Sequence, residues 1–109
     1  MSTLYQLHST MDNLRASTEQ LAVTWNSGDS LLLLGTTVAY IDWLQAYLTD
    51  NDIEQVAGIF ALADDIAQLN ETAMAALNLK DKLIAILTDN EWVTMTLDKQ
   101  FDKVVTIAL

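Results

Sequence analysis

Residues Asn26 to Gly35 read NSGDSLLLLG. Four consecutive leucines, Leu31 to Leu34, carry apolar side chains to both faces of a strand, so both faces need cover. Strands of that kind belong to parallel sheets with helices packed above and below. Two further stretches repeat the pattern, Val56 to Leu62 (VAGIFAL) and Lys82 to Leu87 (KLIAIL). Thr3 to His8 (TLYQLH) predicts a first strand and Lys103 to Leu109 a last one. Between them the chain is helical. Ser9 and Thr10 are expected to cap a helix with Asp12 in its first turn, carrying Met11, Leu14, Thr18, Leu21 and Trp25 on one face and stopped by Asn26-Ser27-Gly28-Asp29. Further helices are expected over about Thr37 to Leu48, Asp64 to Leu77 and Asn90 to Asp98. Each parallel return needs a crossover that a helix supplies. The expectation is therefore a single α/β domain over residues 1–109, three-layered, with a mainly parallel five-stranded sheet.

The same opening stretch contains Gly-Asp-Ser-Leu, the four letters of a large class of serine esterases. An esterase nucleophile in an α/β fold sits at the exposed carboxyl end of a strand, within reach of a base. Ser30 enters its strand instead of leaving it, and the chain's one histidine, His8, lies upstream with no Asp-x-x-His after the serine. The tetrapeptide reads as a turn, and no catalytic residue is assigned.

Fifteen acidic residues against five basic ones give a net charge of −10, which repels a phosphate backbone and disfavours direct nucleic-acid binding. There is no cysteine, so no disulfide, no thiolate metal site and no persulfide carrier. One histidine among scattered carboxylates lacks the spacing of a metal site. Gly28, Gly35 and Gly58 form no phosphate-binding loop, and no cofactor is expected. No basic stretch precedes an apolar one, and the longest wholly aliphatic run, Leu31 to Leu34, is far short of a membrane span. The expected setting is the cytoplasm, without a membrane.

Two features remain as sites. His8 ends the first strand at the edge where α/β domains hold ligands. Asp65, with Asp64, follows the third strand close by, although acids there also suit the start of a helix. These two mark a candidate ligand edge. In the second helix, Val38, Ile41, Leu44 and Leu48 form one apolar stripe and Tyr40, Trp43 and Tyr47 a second beside it. A helix apolar over so much of its circumference needs cover on more than one side, which a partner subunit would supply. An ordinary amphipathic helix with aromatics at its margin fits the same pattern.

The collinear series LYQLHS, GDSLLLL, FALADDIAQLN, LTDNEWVTMT and FDKVV resembles the DsrH/TusB family, small subunits of bacterial sulfur-relay complexes, over nearly the whole chain. Phe60, Leu62, Asp65 and Ile66 follow the family's Tyr-x-Leu-x-x-Asp-Leu pattern. Trp92, Val93, Met95 and Thr96 follow its Phe-Val-x-Leu-Thr. Departures fall at Thr36-Thr37, where the family tends to Asp-Gly, at Gln68-Leu69-Asn70, and at Phe101 and Ile107, which replace a histidine and a tryptophan. Some relatives carry a cysteine near the position of Leu21. The resemblance implies a heterohexamer with TusC/DsrF-like and TusD/DsrE-like subunits, the latter carrying the persulfide, in one branch toward 2-thiouridine at the tRNA wobble position. A self-associating α/β domain that binds a metabolite near His8 is the alternative.

Overall fold

The leucine run becomes the centre of a parallel sheet. A computed structural model of the chain describes residues 2–69, 82–97 and 101–108. Its strands are β1 (Thr3–His8), β2 (Ser30–Leu33), β3 (Gly58–Leu62), β4 (Ala85–Leu87) and β5 (Lys103–Ala108). They lie in the order β4-β3-β2-β1-β5. Every pairing is parallel, so the one reservation in "mainly parallel" falls away. Helices α1 (Leu14–Thr24), α2 (Ile41–Asp50), α3 (Ala63–Ala67) and α4 (Asp89–Leu97) flank the sheet, and 3₁₀ segments at Met11–Asn13 and Gly35–Tyr40 lead into α1 and α2.

Period-2 alternation sorts the side chains between two cores. Tyr5, Leu7, Leu31, Leu33, Ala61 and Ile107 point to one face and pack with Leu14 and Leu21 of α1, Ile41, Leu44 and Leu48 of α2 and Ile66 of α3. Leu4, Leu32 and Leu62 point to the other, with Leu87 and Phe101, against Trp92 and Met95 of α4. Right-handed crossovers require this division: β1 to β4 advance in one direction across the sheet, and the return to β5 reverses it. Leu31, Leu32 and Leu33 have no exposed surface. At roughly 2 kcal/mol for each buried leucine, the three supply about 6 kcal/mol, comparable with the whole net stability of a small domain.

Several boundaries differ from expectation. Ser9 and Thr10 do not cap α1 with their side chains: Thr10 precedes the 3₁₀ turn Met11–Asn13 without a capping bond, and α1 begins only at Leu14. The second helix is divided into the 3₁₀ segment Gly35–Tyr40 and α2, and the apolar stripe Val38, Ile41 and Leu44 runs across the junction. Its end is a Schellman turn, with Ile53 N–H on Leu48 O at 2.9 Å and Asp52 N–H on Thr49 O at 3.1 Å. Asp52 takes the left-handed position, φ 56°, usually held by glycine. Strand β3 starts at Gly58 rather than Val56, after a second positive φ at Gln55, and β4 is only Ala85–Leu87. The helix expected to reach Leu77 is described only as Ala63–Ala67, and residues 70–81 lie outside the described residues, as does Leu109.

Candidate functional site

In an open parallel sheet the crevice lies at the carboxyl edge, where the chain's direction across the sheet reverses. Here that point is between β1 and β5, since β1 is followed by β2 on one side and flanked by β5 on the other. A cavity of about 260 Å³ occupies it, lined by His8, Ser9, Thr10, Thr36 and Ala108. His8, the last residue of β1 as the sequence predicts, is exposed there.

Gly35 explains how the imidazole is seated. With φ 60°, it turns the chain out of β2, and a Cβ at this position would lie 2.8 Å from His8 Nε2. Only glycine offers both the conformation and the room. Its N–H donates to Asp65 Oδ2 at 2.8 Å. The two residues of the expected ligand edge are thus brought to the same glycine, but in different roles: the Asp65 carboxylate, which opens α3, braces the loop after β2, while His8 faces the cavity.

Beneath His8 lies a cluster of buried hydroxyls absent from the sequence-based expectation. Thr37 Oγ1 accepts the Ser9 N–H at 2.8 Å and donates to the Ser9 carbonyl at 3.2 Å, locking the end of β1 to the segment after β2. Ser17 Oγ reaches both Ser9 Oγ at 3.0 Å and the Asn13 carbonyl at 3.1 Å. Ser9 Oγ donates in turn to the Thr10 carbonyl at 3.0 Å. Ser9, Ser17 and Thr37 are all buried. A buried hydroxyl costs free energy when left unbonded, and each of these three is bonded. The signal for them was ambiguous in sequence, because serine and threonine near strand ends read first as caps and turns.

Thr37→Val keeps the shape and removes the clamp, leaving the Ser9 N–H buried without a partner. The expected loss is about 2 kcal/mol of stability by urea denaturation, with Thr37→Ser recovering most of it. A loss below about 0.5 kcal/mol would show that the clamp adds nothing.

Ser30 lies at the opposite edge, buried in register with Leu4 and Gly58. Four residues along β1 separate Leu4 from His8, roughly 13 Å at strand rise, so Ser30 and His8 form no dyad. Asp29, in the adjoining turn, is buried with both carboxylate oxygens engaged by backbone N–H groups of Thr3 and Asn26, each at 2.9 Å. Gly-Asp-Ser is a structural clasp.

Along the 3₁₀ segment and α2 the first stripe is core: Val38, Ile41 and Leu44 have no exposed surface and Leu48 little. The aromatic stripe is divided. Tyr40 and Tyr47 pack partly buried against that core, whereas Trp43 is 58% exposed, its ring 6.4 Å from that of Tyr47. Lys82 pairs with neighbouring Asp42. On the other face, Gln6 is a second buried polar group that sequence reading missed. It receives the Trp92 indole N–H at 2.7 Å and donates to Thr106 Oγ1 at 3.1 Å, anchoring α4 on the sheet.

Among the described residues no group of histidine and acidic side chains is arranged to hold a metal ion, and no helix is long and apolar enough to cross a membrane. No protein-family model matches this chain, and no curated protein matches it.

Proposed function

We propose that this chain is a non-catalytic structural subunit of a sulfur-relay complex, supporting persulfide transfer between partner subunits, in the branch that leads to 2-thiolation of the tRNA wobble uridine. The observation that carries the reading is chemical. Sulfane sulfur is accepted and passed by thiolates, and 109 residues without a cysteine supply none. The contribution of such a chain to a relay is to hold the geometry of neighbours that have thiols. The collinear motifs that resemble DsrH/TusB support the assignment, as does a five-stranded parallel α/β sheet with an exposed tryptophan on one helix. The net charge of −10 favours contact with tRNA through partners rather than directly. The partners are TusC/DsrF-like and TusD/DsrE-like subunits in a cytoplasmic heterohexamer.

Co-expression with the TusC-like and TusD-like proteins of the same genome tests this directly. The expected result is one stable species on gel filtration containing all three chains, with ³⁵S label on the TusD-like chain and none on this one. Failure to co-purify, or label covalently attached to this chain when purified alone, overturns the proposal.

A further inference from the structure

We propose that the cavity at the carboxyl edge is a binding site for a small oxyanion, a carboxylate or an inorganic tetrahedral anion, received by the His8 imidazole and the hydroxyls of Thr10 and Thr36. The inference stands apart from the sulfur-relay reading and rests on four observations.

The first is position, at the reversal point between β1 and β5, where parallel sheets open a crevice. The second is unspent hydrogen-bonding capacity. The His8 imidazole and the Thr36 hydroxyl make no hydrogen bond with the described residues. Thr10 Oγ1 accepts from Asn13 Nδ2 at 3.2 Å, which leaves its own O–H to donate. The third is rigidity. Ser9, Thr37 and Ser17 are joined in the buried network below, Gly35 makes room for the ring, and Asp65 braces Gly35. A site whose supporting shell is locked loses little entropy on binding. The fourth is the lining itself: among the described residues, no carboxylate lines this cavity.

The hydroxyls of Thr10 and Thr36 and the ring of His8 give this lining O–H and N–H donors, which match an acceptor-only group. Charged acceptors bind such donors roughly twice as strongly as neutral ones, which selects an oxyanion over a neutral carbonyl. Asp65, the carboxylate at the same glycine, is engaged by the Gly35 N–H, and carboxylates farther away are screened beyond about 8 Å at physiological salt, so the negative net charge does not forbid it. At about 260 Å³ the cavity admits a small ligand. The larger cavity at the amino edge, about 520 Å³, fits an anion poorly, because Asp29 and Asp102 line it.

His8 is the chain's sole histidine, so its ring signals need no assignment strategy. Titration of the full chain at constant ionic strength with phosphate, sulfate, acetate and succinate, against chloride, is read from the His8 ring and from the Thr10 and Thr36 amides. A saturable shift is expected. Response to phosphate and sulfate alone assigns an inorganic anion; response to acetate and succinate alone assigns an organic carboxylate. Thr36→Val should weaken binding about tenfold, and His8→Ala should abolish the saturable amide shifts, both with unchanged melting temperature because these side chains are exposed. Gly35→Ala, which displaces the ring, should also weaken it. Linear shifts equal to those with chloride, or saturation unchanged in both Thr36→Val and His8→Ala, overturn the site.

Discussion

Asp29→Ala should lower the stability of the chain by about 3 kcal/mol, with a fall in melting temperature of more than about 10 °C. Asp29 is 1% exposed, yet among the described residues no cationic side chain is paired with it. Its compensation comes entirely from the backbone: Oδ1 accepts the N–H of Thr3, the first residue of β1, and Oδ2 accepts the N–H of Asn26, three residues back in the turn. Hydrogen bonds to a charged acceptor contribute about 1.5 to 3 kcal/mol each, and truncation leaves two donors without partners at the amino edge of the sheet. The main chain of Asp29 is committed as well, its N–H to Asn26 O at 3.1 Å and its carbonyl to Ala57 N–H at 2.9 Å. One residue thereby joins the starts of β1, β2 and β3. Asp29→Asn retains one acceptor and turns its amide toward the other N–H, so it should recover less than half of the loss. A change below about 1 kcal/mol for Asp29→Ala, measured by urea denaturation with an unchanged m value, would refute the clasp. Ser30→Ala, beside it in the same tetrapeptide, removes a hydroxyl with no side-chain hydrogen bond to a described residue and should cost far less.

That contrast shows where sequence and structure part. Four leucines in a row reveal a strand buried on both faces, and the stripe Val38, Ile41, Leu44, Leu48 reveals the inner face of the second helix; both follow from local periodicity, and both are buried as expected, save that β2 ends at Leu33 and Leu34, beyond it, is half-buried. The strand order is not local. Nothing in Lys103–Ala108 specifies that β5 pairs with β1 rather than β4, because that choice depends on the handedness of a crossover and on which face is still open. That His8 and Asp65 lie at the same edge of the sheet was legible, because each ends or follows a strand. Their meeting at Gly35, and the conversion of Asp65 from ligand candidate to brace, depend on how β2 and β3 are juxtaposed. Thr37, Ser17 and Gln6 escaped notice for a related reason. A polar residue inside the protein is recognised by its partners, and those partners lie 28, 8 and 86 residues away in the chain.

Trp43→Asp should release the chain from the proposed sulfur-relay complex while leaving its fold intact. Both halves follow from one placement. An indole that is 58% exposed on α2, beside Tyr47, contributes little to the core, so its replacement should change stability by no more than about 1 kcal/mol. A tryptophan at the centre of a subunit contact commonly carries 2 kcal/mol or more of binding, and a carboxylate buried in its place adds a desolvation cost. The dissociation constant should therefore rise at least about a hundredfold. Asp42, next in sequence and already paired with Lys82, would place two acids side by side and strengthen the effect. Tyr40→Ala and Tyr47→Ala should behave differently, since both rings lie partly against the core and their truncation would lower stability along with affinity. Gel filtration of co-expressed subunits, with circular dichroism melting of the isolated chain, separates the cases. An unfolded Trp43→Asp variant would move Trp43 into the core, and a fully assembled complex would move the interface off α2 altogether.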